Sequence, residues 1–265
     1  MALYIVGTPI GNLGDITKRA VETLEKVDLI ACEDTRRTSI LLSSLGIKKP
    51  LVSYYKQKEQ EGAARLVEKL QEGAEIALVS DAGMPVISDP GAVLVRKARE
   101  AGIRVETVPG ATAVTTAAAL VGLDGGFVFI GFLPEKTVDK KKKLDPFRSV
   151  PLPLCFYAGP HDVRKVLEFL YEELGDRTAY LVKELTKMHE GFLTVRLRDG
   201  VLEEPRGEYV IIVEGATGEN PYLSLSPKEH LARYLAEGMD KKSAIKKVAA
   251  ERGVAKDEIY KLTIE

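Results

Sequence analysis

Val79-Ser80-Asp81-Ala82-Gly83-Met84-Pro85-Val86-Ile87-Ser88-Asp89-Pro90-Gly91 carries an apolar run straight into a loop of Gly, Pro, Ser and Asp that ends where a helical pattern begins. Gly permits close approach and unusual dihedrals, Pro stiffens its neighbours, and the loop's backbone N–H and C=O groups can line a pocket. One such loop is also what an ordinary strand-to-helix connection looks like. Three more shift the balance: Gly7-Thr8-Pro9-Ile10-Gly11-Asn12-Leu13-Gly14-Asp15, Glu33-Asp34-Thr35-Arg36-Arg37-Thr38 and Pro109-Gly110-Ala111-Thr112-Ala113. All four stand where a strand's carboxyl end hands over to a helix, the edge at which open α/β sheets bind ligands. They read as one composite site.

Outward from these loops, strand signals at 3–6, 29–32, 51–54, 76–80 and 105–108 alternate with amphipathic patterns, the rhythm of a parallel sheet with crossover helices. Asp15 is the expected N-cap of the first helix, and Gly46, Gly73 and Gly102 stand where helices should stop. The segment 111–120, rich in Ala and Thr, reads as a buried helix. A further strand is expected at 127–133. From Pro134 to Pro153 the composition turns to Lys, Asp and Pro, with Lys140-Lys141-Lys142-Lys143, and predicts an exposed linker or mobile loop. Strands at 154–157, 179–182, 193–197 and 209–213 with a helix over 163–174 then give a second, smaller α/β set. Ser226-Pro227-Lys228-Glu229 is a capping-box start. Helical patterns over 240–252 and 256–263 follow it. The expected division is an N-terminal α/β domain over 1–122, a C-terminal α/β domain over 123–222, and a helical tail over 223–265. Lys241, Lys242, Lys246, Lys247, Arg252, Lys256 and Lys261 make the tail either a helix-turn-helix-like contact with nucleic acid or a solvated basic face.

With 265 residues, 45% hydrophobic and 29% charged, the chain can bury one large core or two modest ones. A formal net charge of -1 leaves any nucleic-acid binding to a local basic face. Cys32 and Cys155 lie in apolar runs without metal-ligand spacing, so neither a zinc site nor a disulfide framework is expected. No apolar stretch is long enough to span a bilayer and the first residues carry no basic leader, which gives a cytoplasmic expectation.

The glycines at 7, 11 and 14 lack the G-x-G-x-x-G spacing, and no Gly-Lys-Ser/Thr follows, so neither a dinucleotide fingerprint nor a P-loop is present. Apolar residues and backbone carbonyls with few basic groups are compatible with S-adenosylmethionine, a sulfonium zwitterion.

At this point the motifs resemble a family. Gly7 to Asp15, Glu33-Asp34-Thr35-Arg36, the Ser80 to Gly91 loop, Gly131-Phe132-Leu133-Pro134, Phe156-Tyr157, Lys183-Glu184-Leu185-Thr186-Lys187 and Glu208 to Gly215 are similar, in order and over nearly the whole chain, to the tetrapyrrole-methylase-like methyltransferases. Within them the chain looks most like those that methylate the ribose 2'-oxygen of a cytidine in small-subunit ribosomal RNA. The resemblance implies two α/β domains with S-adenosylmethionine in the cleft between them, a homodimer, and small-subunit rRNA or the assembled small subunit as partner. Carried over by motif, the cofactor shell is Ile10, Gly83, Met84, Pro85, Ile87, Thr112 and Ala113, with Tyr157 and Leu185 from the second domain.

Methyl transfer needs no metal, because the sulfonium already activates the carbon and positioning supplies much of the rate. A ribose hydroxyl is a poor nucleophile, so a base or a charge-stabilising group is expected. The candidates are Glu33, Asp34, Asp89, Lys183, Glu184 and His161. The Glu33-Asp34-Thr35-Arg36 turn leads, with two carboxylates and the Arg36 guanidinium at a strand end; capping and ion pairing, or a phosphate contact by Arg36 and Arg37, are the other uses of that turn. Relatives usually show Thr at Met84, Glu-Ser-Pro-His-Arg at Ala158 to Asp162, and His-rich residues at Tyr55 to Lys58.

Overall fold

In the computed structural model, which describes residues 1–201, 204–217, 222 and 225–261, five short apolar strands form a wholly parallel sheet. They are β1 (Ala2–Val6), β2 (Leu29–Cys32), β3 (Leu51–Ser53), β4 (Glu75–Leu78) and β5 (Arg104–Val108), in the order β3-β2-β4-β1-β5. Side chains alternate across a strand. In β1, Ala2, Tyr4 and Val6 therefore join one apolar cluster, while Leu3 and Ile5 join another on the opposite face. Helices α1 (Lys18–Lys26) and α2 (Thr35–Ser44) supply Ala20, Leu24 and Leu42 to the first cluster. Helices α3 (Glu59–Gln71) and α4 (Ala92–Glu100) supply Leu66, Leu70 and Leu94 to the second. Burial on both faces is why these strands read as continuous apolar runs. Each fully buried Leu or Ile contributes about 1.5–3 kcal/mol.

Because all five strands run the same way, the loops after β1, β2, β4 and β5 leave from one edge. Gly46, Gly73 and Gly102 stop their helices at φ of 72°, 106° and 70°, as expected. Two expectations are corrected. Asp15 does not cap α1: it lies in a short 3-10 turn capped by Asn12, and Thr17 caps the helix by accepting the Ala20 N–H at 3.1 Å. The strand expected to reach Ser80 ends at Leu78, since Ser80 turns its hydroxyl to the Gly83 carbonyl at 3.1 Å.

Helix α5 (Ala113–Leu120) follows β5 and packs Val114 and Ala117 into the core of a second sheet, as its Ala-rich sequence predicts. That sheet holds β6 (Val128–Phe132), β7 (Leu154–Ala158), β8 (Thr178–Lys183), β9 (Gly191–Arg196) and β10 (Tyr209–Val213), in the order β6-β7-β10-β8-β9. β10 and β9 both pair antiparallel with β8. Between β6 and β7 the lysine run forms helix α6 (Thr137–Leu144), not an irregular linker. One buried apolar residue, Leu144, and good helix-forming lysines suffice for this single short helix. Helix α7 (Val163–Leu174) has the predicted bounds.

Residues Met1–Pro134 and Cys155–Val213 form one compact unit that contains both sheets; Glu135–Leu154 and Glu214–Glu265 form another. In the second unit, α8 (Pro227–Ala236), α9 (Lys241–Arg252) and α10 (Lys256–Lys261) enclose Leu231, Tyr234, Ile245, Val248 and Ile259. The predicted capping box is present: Ser226 Oγ accepts the Glu229 N–H and the Glu229 carboxylate accepts the Ser226 N–H. Residues 262 and 263 of the expected last helix lie outside the described residues. His230 is wholly buried, bonded through Nε2 to Glu251 at 2.9 Å and accepting the Arg252 Nε–H on Nδ1 at 3.0 Å. Burial lowers its pKa, in keeping with a neutral ring whose Nδ1 is an acceptor. Arg252 also donates to the Tyr222 carbonyl, so it is committed inward and does not belong to the tail's basic face.

Candidate active site

The loops after β1, β4 and β5 are laced together by backbone. Gly7 N–H donates to Val108 O at 3.0 Å, and Thr8 and Gly83 exchange both N–H···O bonds at 2.9 and 3.2 Å. Thr8, 2% exposed, reaches the Ser80 and Gly83 carbonyls with its hydroxyl at 3.3 Å. A β-carbon on Gly7 would stand 2.7 Å from Gly110 Cα and from Met84 Sδ. Gly83 sits at φ 81°, and a β-carbon there would stand 3.2 Å from Ile10 Cγ2 and 3.3 Å from the Ala111 carbonyl. The glycines are there because backbone touches backbone.

The second sheet closes on the same place. A β-carbon on Gly11 would meet Lys187 Cγ at 2.6 Å, Thr186 Oγ1 at 2.9 Å and Leu185 O at 3.0 Å. Ile10, Ala113, Tyr157 and Leu185 share one apolar cluster, and Tyr157 Oη accepts the Val114 N–H at 3.0 Å in the first turn of α5. Of the expected cofactor shell, Ile10, Gly83, Met84, Ala113, Tyr157 and Leu185 are thus brought together through these contacts, with Pro85 buried in the same loop and Thr112 at the N-cap of α5. Ile87 is in the same loop but 44% exposed. The lining suits a sulfonium zwitterion: apolar side chains, backbone carbonyls, glycine cradles, and in Thr186 Oγ1 a buried hydroxyl without a hydrogen-bond partner among the described residues.

Among the described residues, four other than glycine adopt left-handed φ: Val86 (77°), Ser88 (71°), Glu184 (50°) and Thr186 (64°). Two lie in the 80–91 loop and two in the 183–187 loop, the two that face the shell. Each costs on the order of 1–3 kcal/mol, held only because the surroundings over-determine it.

The carboxylates divide by environment. Asp34 caps α2 and grips Arg36 through both oxygens, at 3.1 Å to Nε and 2.8 Å to Nη2; Arg36 draws its pKa down to about 2. Asp81 accepts the Asp34 N–H at 3.2 Å and pairs with Arg37 at 3.4 Å. Glu33 is pushed upward by burial and by Asp81. Asp89 is pushed up to about 6 by burial, then by Glu33 and Asp81. Glu33 to Arg37, Ser53, Tyr55 and Asp81 line an open depression of about 470 Å³.

Lys183 ends β8, and Glu184 follows it. The Glu184 carboxylate accepts the Glu208 N–H and pairs with Lys187, both at 3.0 Å, and these contacts hold its pKa down. His161 is exposed ahead of α7, Ala158 is buried at the end of β7, and Asp162 is exposed. Sequence reasoning passed over Asp81; its signal was a second aspartate in the same glycine loop as Asp89, which becomes informative only once β2 and β4 are known to be neighbours.

Comparison with known proteins follows the same outline. The family model described as Tetrapyrrole (Corrin/Porphyrin) Methylases matches residues 2–199. Proteins named ribosomal RNA small subunit methyltransferase I are similar along nearly the whole chain. The one from Halalkalibacterium halodurans is 44% identical, covering 98% of this chain and 93% of its own. The one from Haemophilus influenzae is 46% identical, covering 97% and 94%. The Thermotoga maritima protein of that name is 41% identical over 80% of this chain and 98% of its own. Among solved structures, a diphthine synthase superposes with a TM-score of 0.63 at 19% identity, covering 81% of this chain and 90% of that one. The methyltransferase CobJ gives 0.64 at 22%, covering 81% and 94%.

Proposed function

This chain belongs to the tetrapyrrole methylase family, and we propose that it transfers the methyl group of S-adenosylmethionine to the ribose 2'-oxygen of a cytidine in small-subunit ribosomal RNA. The observation that supports this most is identity of 44% over 98% of the chain to a protein named for small-subunit rRNA methylation. As a member of its family the chain is an S-adenosylmethionine-dependent methyltransferase, and at the coarser level its acceptor is ribosomal RNA. We keep the domain division 1–122, 123–222 and 223–265, the homodimer and the cytoplasm as parts of the same proposal.

When bound, the cofactor supplies a methyl carbon made electrophilic by the adjacent sulfonium. The protein's own part is positioning and proton handling. Ile10, Gly83, Met84, Pro85, Ile87, Thr112, Ala113, Tyr157 and Leu185 form the shell, its backbone fixed by the Thr8–Gly83 exchange. The 2'-hydroxyl must lose its proton as the new O–C bond forms. The candidate acceptor is the Glu33 and Asp89 pair, since a base works best with a pKa near the operating pH and Asp89 is raised to about 6. Asp34 at about 2 is too weak a base for that step, and with Arg36 it holds the turn that presents Glu33. Lys183 and Glu184 act through position: Glu184, tied to Lys187 and Glu208, fixes the strained loop that carries Leu185.

The deciding experiment is mass spectrometry of small-subunit rRNA from cells with and without the gene, complemented by labelled cofactor on undermodified small subunits. Loss of one ribose methyl on a cytidine is expected. An unchanged profile and unlabelled subunits would overturn the reading in favour of a tetrapyrrole or protein acceptor, or of a ribosome-binding relative without turnover.

A further inference from the structure

We propose that Phe132 is the stacking platform for the target nucleobase, holding the cytosine while its ribose enters the site; this rests on the rRNA reading above. Phe132 ends β6 and is 54% exposed. Residues three apart in a regular strand point to opposite faces, so Phe129 and Phe132 should diverge. Gly131 between them sits at φ 72°, and both rings instead meet Tyr157 edge-on, at 4.9 and 5.4 Å between centroids. The kink has a second constraint: a β-carbon on Gly131 would stand 2.8 Å from Ser88 Oγ, which places this end of β6 against the 80–91 loop.

Phe129 and Tyr157 belong to the apolar cluster that also holds Ile10, Ala113 and Leu185; Phe132 lies outside it, toward solvent. Tyr157 is pinned by the Val114 N–H, and the charge of Asp89 reaches it. An exposed aromatic edge therefore borders the residues assigned to the cofactor and to proton acceptance. A cytidine methylated on its 2'-oxygen needs its ribose brought down among those groups, and an unstacked base needs a flat apolar partner outside them. Aromatic side chains are how proteins hold unstacked bases.

The test uses the full chain and undermodified small subunits. Phe132→Ala and Phe132→Leu should raise KM for subunits about 5- to 100-fold, with kcat at saturation and the dissociation constant for S-adenosylhomocysteine nearly unchanged. Phe132→Tyr should restore KM; a merely structural ring would be replaced as well by Leu. The chain contains no tryptophan, so Phe132→Trp adds a sole indole. Its emission, after subtraction of the same titration with the wild-type protein, should change when subunits are added to the S-adenosylhomocysteine complex and stay constant when S-adenosylhomocysteine alone is added. Wild-type KM in the Ala variant, or a weakened S-adenosylhomocysteine constant in its place, would overturn the assignment while leaving the rRNA reading intact. Failure of the wild-type protein to label subunits would overturn that reading and this inference with it.

Discussion

Two aspartates show how far one residue's environment decides its use. Asp34 is partly buried and clasped by Arg36, and Asp89 is partly buried near the charges of Glu33 and Asp81. Asp89→Asn is expected to lower kcat at least about 100-fold, the ordinary worth of a positioned base. In the wild-type protein the rate should fall as pH drops through about 6, where Asp89 takes up its proton. Stability runs the other way. The folded pKa lies above the ordinary value of 3.8, so the folded state favours the protonated group, and that contribution is lost as pH rises through about 6. Asp89→Asn should therefore raise Tm more at pH 8 than at pH 5, measured by calorimetry. A lower Tm at both would remove the carboxylate from this role. At Gly7, contacts at 2.7 Å leave no room for a methyl group. Gly7→Ala should cost about 1–3 kcal/mol in urea unfolding, as overpacking does, and weaken S-adenosylhomocysteine binding in calorimetric titration.

Among the elements, α1 separates a sequence guess from its structural answer. Asp15 and Thr17 are both good caps by type, and only Thr17 has its side chain on the helix N-terminus. Thr17→Ala is expected to destabilise by about 1 kcal/mol and Asp15→Ala by a few tenths at most; equal losses in denaturant titrations would contradict the assignment. The loop expected at the lysine run is a helix for a related reason. Composition marks 134–153 as solvent-facing, but lysine is a good helix former and Leu144 gives the segment an anchor. Strand and helix bounds elsewhere were legible where apolar period and breaker residues coincide, as in β2, β10 and α7.

At the scale of the whole molecule, the tail is expected to serve the acceptor and the two sheets the cofactor. The Thermotoga maritima relative is matched along 98% of its own length yet reaches only 80% of this chain. A fifth of this chain thus has no counterpart in a protein of the same name as the others. Removing the residues after Tyr222 is expected to leave S-adenosylhomocysteine affinity unchanged, to raise KM for small subunits, and to flatten the salt dependence of subunit binding, because lysines that release counterions from phosphate are lost. A salt slope identical to that of the full chain would make the tail a packing appendage.

By itself the sequence determined the alternation of strands and helices, the four loops at strand ends, three of them glycine-bearing, and the family, since these depend on local periodicity and on motifs contiguous in the chain. The tertiary structure alone decided which loops touch. β4 lies between β1 and β2, which sets the 80–91 loop beside both the Gly7 and Glu33 turns and gathers Glu33, Asp81 and Asp89 from segments far apart in sequence. It also decided that Asp34 is spent on Arg36 and that Asp89 is raised. Burial and neighbouring charge are properties of the assembled chain, so a carboxylate's basicity is invisible until the groups around it have been brought into place.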